Sequence, residues 1–414
     1  MFVKTYLNRL FKRPKHNYKA IDGIRAIAVL WVIFFHSWLF QYLDFKDVGE
    51  SIFNYPYLIW ITKGDLGVDL FFVISGFLIG TILFKELRRT GKLNFKNFYL
   101  KRFLRLLPVY IFAMILGLYF IEGDSWKSAW SNLLYINNYV NGSYMGWTWS
   151  LAIEEQFYII IPFLIAFVIP KFKNKIPVFL FLALLCIGMT YYYSVEIFGF
   201  KVPFDSEFLD DKWKDWFWGY YMLTHLRYGG LLSGVIGAYL NVYHQESIKN
   251  FFNEKRYIPT IIFVLSMIVF MAISSISLGQ WTNLSSSIFD GYNNNIPSFY
   301  EVVHREIFSY AVVFIIFSCL YSNSKIVKPV NSFLSSKVFY PLAQISYSAY
   351  LFHEMFMFWF FPKFNLYAKG FLSNLEIVMA NSIISLVIII FASTLMYLFV
   401  EQPFQDLKSK IKLK

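Results

Sequence analysis

An arginine and a histidine eleven residues apart, Arg25 and His36, lie in one apolar stretch of the chain. An ionisable side chain in hydrocarbon costs about 2.5–3.5 kcal/mol on insertion scales, so one kept there points first to function. Eleven residues of α-helix bring the two side chains within about 20° of one face and about 16 Å apart along the axis. Arg25 then sits at the mouth of the membrane, and His36 near the middle of a core about 30 Å thick. Asp22, three residues before Arg25, can pair with it on that face. Snorkelling accounts for Arg25 alone, and ordinary burial for His36 alone. The aligned pair points to function.

Other ionisable residues repeat the pattern. Arg102 and Arg105 are three apart and project from one side of a helix end. Basic residues on cytoplasmic loops account for them without a ligand, yet two guanidinia beside Arg25 also suit phosphate oxygens. Glu154 and Glu155 follow Trp147 and Trp149, which read as anchors at the outer interface. The two carboxylates lie about two turns into the membrane and point about 100° apart, so at most one faces the cavity of His36. His353 enters from the other side to a similar depth. These residues are expected to share one zone across three helices. Gly67, Asp69, Ser75 and Gly76 lie in the second apolar stretch, where small residues let backbones approach closely. His225, Arg227, His304 and Arg305 border the outer side and are candidates for an acceptor site or for interfacial solvation.

The elements that must position these residues are apolar helices. Of 414 residues, 57% are hydrophobic and 15% charged, against roughly 25% charged in soluble domains. The mean hydropathy is +0.48. This excludes a disordered chain, a coiled coil and a disulfide scaffold. Ten stretches, 24–43, 67–85, 103–121, 150–169, 177–195, 222–243, 258–277, 305–321, 341–361 and 374–400, approach or exceed the length of a spanning helix. Threaded alternately, they put most of the 38 Lys and Arg on the side of both termini. Basic loops stay cytoplasmic. The expectation is an all-α polytopic bundle of about ten spans with both termini in the cytoplasm. It forms a single membrane domain over 1–414, with basic ends at 1–20 and 401–414 and no soluble appended domain. The acidic loop 196–221, with Asp205, Glu207, Asp210, Asp211 and Asp215, is expected outside, and the Asn-rich piece from Gly291 to Asn295 is expected to be a loop. The charge of +12 is thus a topology signal, and no nucleic-acid partner is expected. The first stretch is long, carries Arg25 and His36, and lacks a cleavage site of small residues, unlike a signal peptide. Cys186 and Cys319 lie in apolar runs with no metal-ligand spacing, and no P-loop, Rossmann, HExxH or GxSxG motif is present. No metal is expected.

Taken together, several of these segments resemble the acyltransferase 3 family of integral-membrane acyltransferases. They are Arg25-x10-His36, Gly67-Val-Asp-Leu-Phe-Phe-Val-Ile-Ser75-Gly76, Arg102-x-x-Arg105, Trp149-Ser-Leu-Ala-Ile-Glu154-Glu155, Ile345-Ser-Tyr-Ser-Ala-Tyr-Leu-Phe-His353 and Glu401-Gln-Pro403. The resemblance implies transfer of an acyl group, usually acetyl, from cytoplasmic acyl-CoA to a hydroxyl of an extracytoplasmic carbohydrate. O-antigen and other lipopolysaccharide, or exopolysaccharide, are the acceptor types, and a bacterial inner membrane is the setting. It also marks His36 and Arg25 as catalytic and the paired arginines as important. The residues accommodate that chemistry. Arg102 and Arg105 can hold the CoA phosphates while the pantetheine arm passes Ser75 and Gly76. His36 can take the hydroxyl proton, with Glu154 or Glu155 steadying the imidazole. Asp22, Asp69 and His353 are supporting candidates, and Arg227 a candidate on the acceptor side. The alternative is a secondary transporter or flippase for a carbohydrate or small anion, with the His and Glu residues as a proton relay.

Overall fold

The computed structural model describes residues 2–14, 18–121, 123–198, 212–255, 257–275 and 295–410. His16, Asp205, Glu207, Asp210, Asp211, the Asn-rich piece over 291–294 and the last four residues lie outside them. Every regular element among the described residues is helical. In chain order the longer helices are α1 Phe2–Phe11, α2 Lys19–Asp44, α3 Leu66–Thr90, α4 Phe95–Phe120, α5 Trp149–Phe163, α6 Ile176–Tyr192, α7 Gly229–Tyr243, α8 Tyr257–Ser275, α9 Asn295–Tyr321, α10 Phe339–Ala368 and α11 Asn374–Met396.

Each of the ten expected stretches is mainly helical over its described residues. Among the described residues, eight helices are long and apolar enough to cross a membrane. The stretch expected over 222–243 is interrupted: one turn, Thr224–Arg227, precedes the 15-residue α7. Two consecutive glycines at the junction disfavour a continuous helix. The stretch around 341–361 is α10, 30 residues long, whose apolar run is broken by buried Ser346, Ser348, His353 and Glu354. Large apolar side chains such as Phe181, Ile268 and Phe391 are exposed, while Asp69, Arg227 and Glu354 are buried. Apolar groups outside and charges inside is the arrangement of a chain solvated by lipid. This is a polytopic helical membrane protein.

The described residues form two compact units. The first comprises Met1–Gly67, Asn94–Leu133 and Asn331–Lys414, and holds α1, α2, α4, α10 and α11. Here α2 packs along α10 and α11. Its glycine at 23 is required by close approach, since a Cβ there would stand 2.1 Å from the Leu334 carbonyl oxygen. The second unit comprises Val68–Leu93 and Leu134–Val330. In it α3 and α7 meet glycine to glycine: a Cβ on Gly76 would lie 2.0 Å from Leu231 O, and one on Gly234 2.2 Å from Val73 O. Small residues at such crossings maximise van der Waals contact where no hydrophobic drive separates helix from lipid.

Candidate functional site

In the first unit α2 and α10 bring together two histidines and a carboxylate. His36 Nε2 lies 3.1 Å from Glu354 Oε1, and His36 Nδ1 lies 3.1 Å from His353 Nε2. His353 is fully buried, and the side chains of Glu354 and His36 are 7% and 16% exposed. Phe35 and Phe40 flank the His36 ring, and Phe358 packs on Phe40. The consecutive residues His353 and Glu354 both reach His36 because their side chains converge on it, with His353 Nε2 only 3.8 Å from Glu354 Oε1.

Backbone carbonyls set the tautomers. His353 Nδ1 is 2.6 Å from Tyr350 O, and His36 Nδ1 is 3.0 Å from Val32 O. A carbonyl only accepts, so each Nδ1 carries a proton. His353 Nε2 is therefore an acceptor, and it faces the His36 Nδ1–H. One proton then bridges His36 Nε2 and Glu354 Oε1. Removing it leaves a base buried among aromatic rings. The ligating atoms of His36, His353 and Glu354 lie within 4.8 Å of one another, a set that could hold a metal ion. The hydrogen bond from His36 already occupies the His353 lone pair that such an ion would need.

The remaining sequence candidates fall as follows. Asp22 is paired with Arg13, Nε to Oδ2 3.1 Å, with both side chains buried; Arg13 also donates to the carbonyls of Ser335 and Ser336. Arg25 is half-buried on α2, Arg102 half-buried and Arg105 exposed on α4. In the second unit Ser75 donates to Glu154 Oε1 at 2.8 Å, and Tyr158 donates to Glu154 Oε2 at 3.1 Å. Glu155 is half-buried. The Gly76 surface is filled by α7, which gives that glycine a packing role. Asp69 is held by Arg227 at 3.4 Å and Arg305 at 2.5 Å. His225 packs between the rings of Tyr139 and Tyr193, and the His304 Nδ1 is held by the Tyr300 and Glu301 carbonyls. Sequence reasoning passed over Glu354 and Arg13. The signal for Glu354 was present: it is ionisable, lies in the same apolar stretch as His353, and shares its depth.

Residues 18–400, nearly the whole chain, match the family model for the acyltransferase domain, Acyl_transf_3. The chain belongs to the acyltransferase 3 family. Among curated relatives of this acyltransferase-family chain, nose resistant to fluoxetine protein 6 of Caenorhabditis elegans is 24% identical over 388 residues, covering 84% of this chain and 46% of the relative. O-acetyltransferase OatA of Staphylococcus aureus is 28% identical over 375 residues, covering 83% of this chain and 52% of the relative. The chain thus spans about half the length of the curated relatives it matches. No solved structure gives a significant match.

Proposed function

We propose that the protein is an O-acyltransferase that moves an acyl group, acetyl first among them, from cytoplasmic acyl-CoA to a hydroxyl of an extracytoplasmic or lipid-linked carbohydrate. The observation that carries the reading is the buried His36–Glu354 pair, backed by His353, in a chain of the acyltransferase 3 family. The name of its OatA relative, an O-acetyltransferase, supports acetyl as the group transferred. The acceptor oxygen attacks the thioester carbonyl carbon, an acyl–oxygen bond forms and the acyl–sulfur bond breaks. In the state without the proton shared by His36 Nε2 and Glu354 Oε1, the hydroxyl proton passes to Nε2, where Glu354 stabilises the resulting imidazolium, and then to the departing CoA sulfur. Carbonyl-fixed Nδ1 atoms hold the ring in the tautomer this requires. Arg25, Arg102 and Arg105 bind the CoA phosphates, because guanidinium matches phosphate oxygens with a planar fork of donors. The basic loops favour an inner-membrane orientation with both termini cytoplasmic.

Purified full-length protein in nanodiscs, given labelled acetyl-CoA and a panel of bacterial glycans, should label a glycan. His36→Ala should lose transfer while keeping its membrane insertion, since Glu354, left without its partner, stays neutral by keeping the proton the pair shares. Near-normal transfer by a well-inserted His36→Ala protein would remove His36 from the mechanism. Glycan movement across vesicles without any acyl-CoA would instead identify a flippase.

A further inference from the structure

The second unit encloses a cavity of about 20 Å³ lined by Tyr220, Tyr221, Arg227, Glu301, Arg305 and Glu306 among others. That volume takes one hydroxyl-sized group. Arg227, Glu306 and Tyr220 are only 5%, 8% and 6% exposed. Among the described residues, Arg227 Nε and Nη1, Glu306 Oε2 and the Tyr220 hydroxyl have no hydrogen-bond partner. The geometry points to a site for a hydroxyl group of the acceptor carbohydrate, held in this cavity by Arg227, Glu306 and Tyr220. The inference deepens the function proposed above and rests on it.

Each polar wall is built rather than accidental. Arg227 Nη2 is 3.4 Å from both carboxylate oxygens of Asp69, and its guanidinium lies over Tyr221 at 4.6 Å and Trp149 at 5.3 Å. Arg305 holds the same carboxylate and lies over the same tyrosine, 5.1 Å from its centroid. Glu306 Oε1 accepts from the Cys186 thiol at 3.5 Å. That oxygen rests on Gly229, where a Cβ would come within 1.5 Å of it. Glu306 is therefore fixed through Oε1, and Oε2 is left over. A buried polar group without a partner is costly, and several share this one small space.

The donor set selects the ligand class. Arg227 offers only donors, Glu306 Oε2 accepts when the carboxyl is ionised and can donate when it is protonated, and a hydroxyl complements either because it both accepts and donates. An anion would face the two carboxylates that line the cavity, Glu301 and Glu306, beside guanidinia already held by Asp69. A cation would face those guanidinia. A neutral hydroxyl meets neither objection, and the cavity has room for that group alone.

The test is isothermal titration calorimetry on full-length protein in nanodiscs, with glucose, N-acetylglucosamine and inorganic phosphate as probes. Saturable binding of at least one sugar and not of phosphate is expected, with Kd raised about tenfold in both Glu306→Gln and Tyr220→Phe, roughly 1.4 kcal/mol. Two variants are used so that misfolding of one leaves the other to decide. Binding of no sugar, binding of phosphate alone, or sugar binding unchanged in both variants overturns the site; the last means that the cavity holds only water. Labelled acetyl-CoA given to the same preparations separates the two proposals. Sugar binding lost in the variants, without any acyl transfer by the wild type, keeps the cavity and removes the enzyme reading. Transfer with unchanged sugar binding keeps the enzyme and removes the cavity.

Discussion

At His36 the chemistry depends on a single proton. The carbonyls of Val32 and Tyr350 fix both Nδ1 positions, so only the space between His36 Nε2 and Glu354 Oε1 can gain or lose one. Glu354→Gln puts an amide there, whose N–H occupies the His36 lone pair permanently. We expect kcat for transfer to fall about 10²-fold or more, within the range for general acid–base groups, with KM for acyl-CoA changed little. A role confined to packing would lower protein yield instead and leave kcat of the folded fraction intact. Initial rates on reconstituted protein separate the two. The same hydrogen bonds bear on metal binding. Because the His353 lone pair accepts from His36, dialysis against EDTA should leave the transfer rate unchanged. A loss restored by added Zn²⁺ would show that His36, His353 and Glu354 act as ligands.

Helices meet here through glycine, and the consequence can be measured. Gly76→Ala would drive a methyl into the Leu231 carbonyl oxygen, a backbone atom with nowhere to go. The α3–α7 crossing must open, at a cost of about 1–3 kcal/mol typical of overpacking, read as a lower denaturation midpoint in detergent. Gly188→Ala on α6 is the control, since nothing lies within 4 Å of its added Cβ, and it should be neutral or mildly stabilising. The end of α4 makes a different prediction. If Arg102 and Arg105 grip phosphate, alanine at either raises the acyl-CoA concentration for half-maximal rate more than it lowers the saturated rate. Lysine restores part of that affinity, as a point charge replaces a planar fork. If they serve only the charge bias of the loop, lysine substitutes in full and acyl-CoA saturation does not move.

At the scale of the whole molecule, alternate threading of the apolar stretches leaves most of the basic residues on one side. Thread the spans in order and Lys92 falls with the termini while Lys127 falls opposite. In intact cells a membrane-impermeant thiol reagent should label Lys127→Cys and spare Lys92→Cys, in a background lacking Cys186 and Cys319. The reverse pattern would invert the orientation, and with it the side from which acyl-CoA must enter. Asp69, Arg227 and Arg305 also belong to this scale. They join α3, the turn before α7, and α9 inside one unit, where a pairing among buried charges constrains three segments at once.

The sequence by itself determined that this chain is a set of apolar helices, which polar residues lie within them, and that Arg25 and His36 share a face. Those properties are local: hydropathy and a period of 3.6 residues set them along one helix. The order of the motifs likewise pointed to the family before any coordinates. Only the tertiary structure decided who meets whom. Periodicity gives the direction of a side chain about its own axis, while rotation and sliding between helices depend on packing at every crossing. So Glu354, one residue past the expected His353, supplies the carboxylate in contact with His36, and Asp22 has Arg13, from beyond the helix, at its side chain. The rule that neighbours 100° apart cannot share a target fails at His353 and Glu354 for a physical reason: both side chains are long enough to converge, and His353 Nε2 and Glu354 Oε1 end 3.8 Å apart beside the one imidazole.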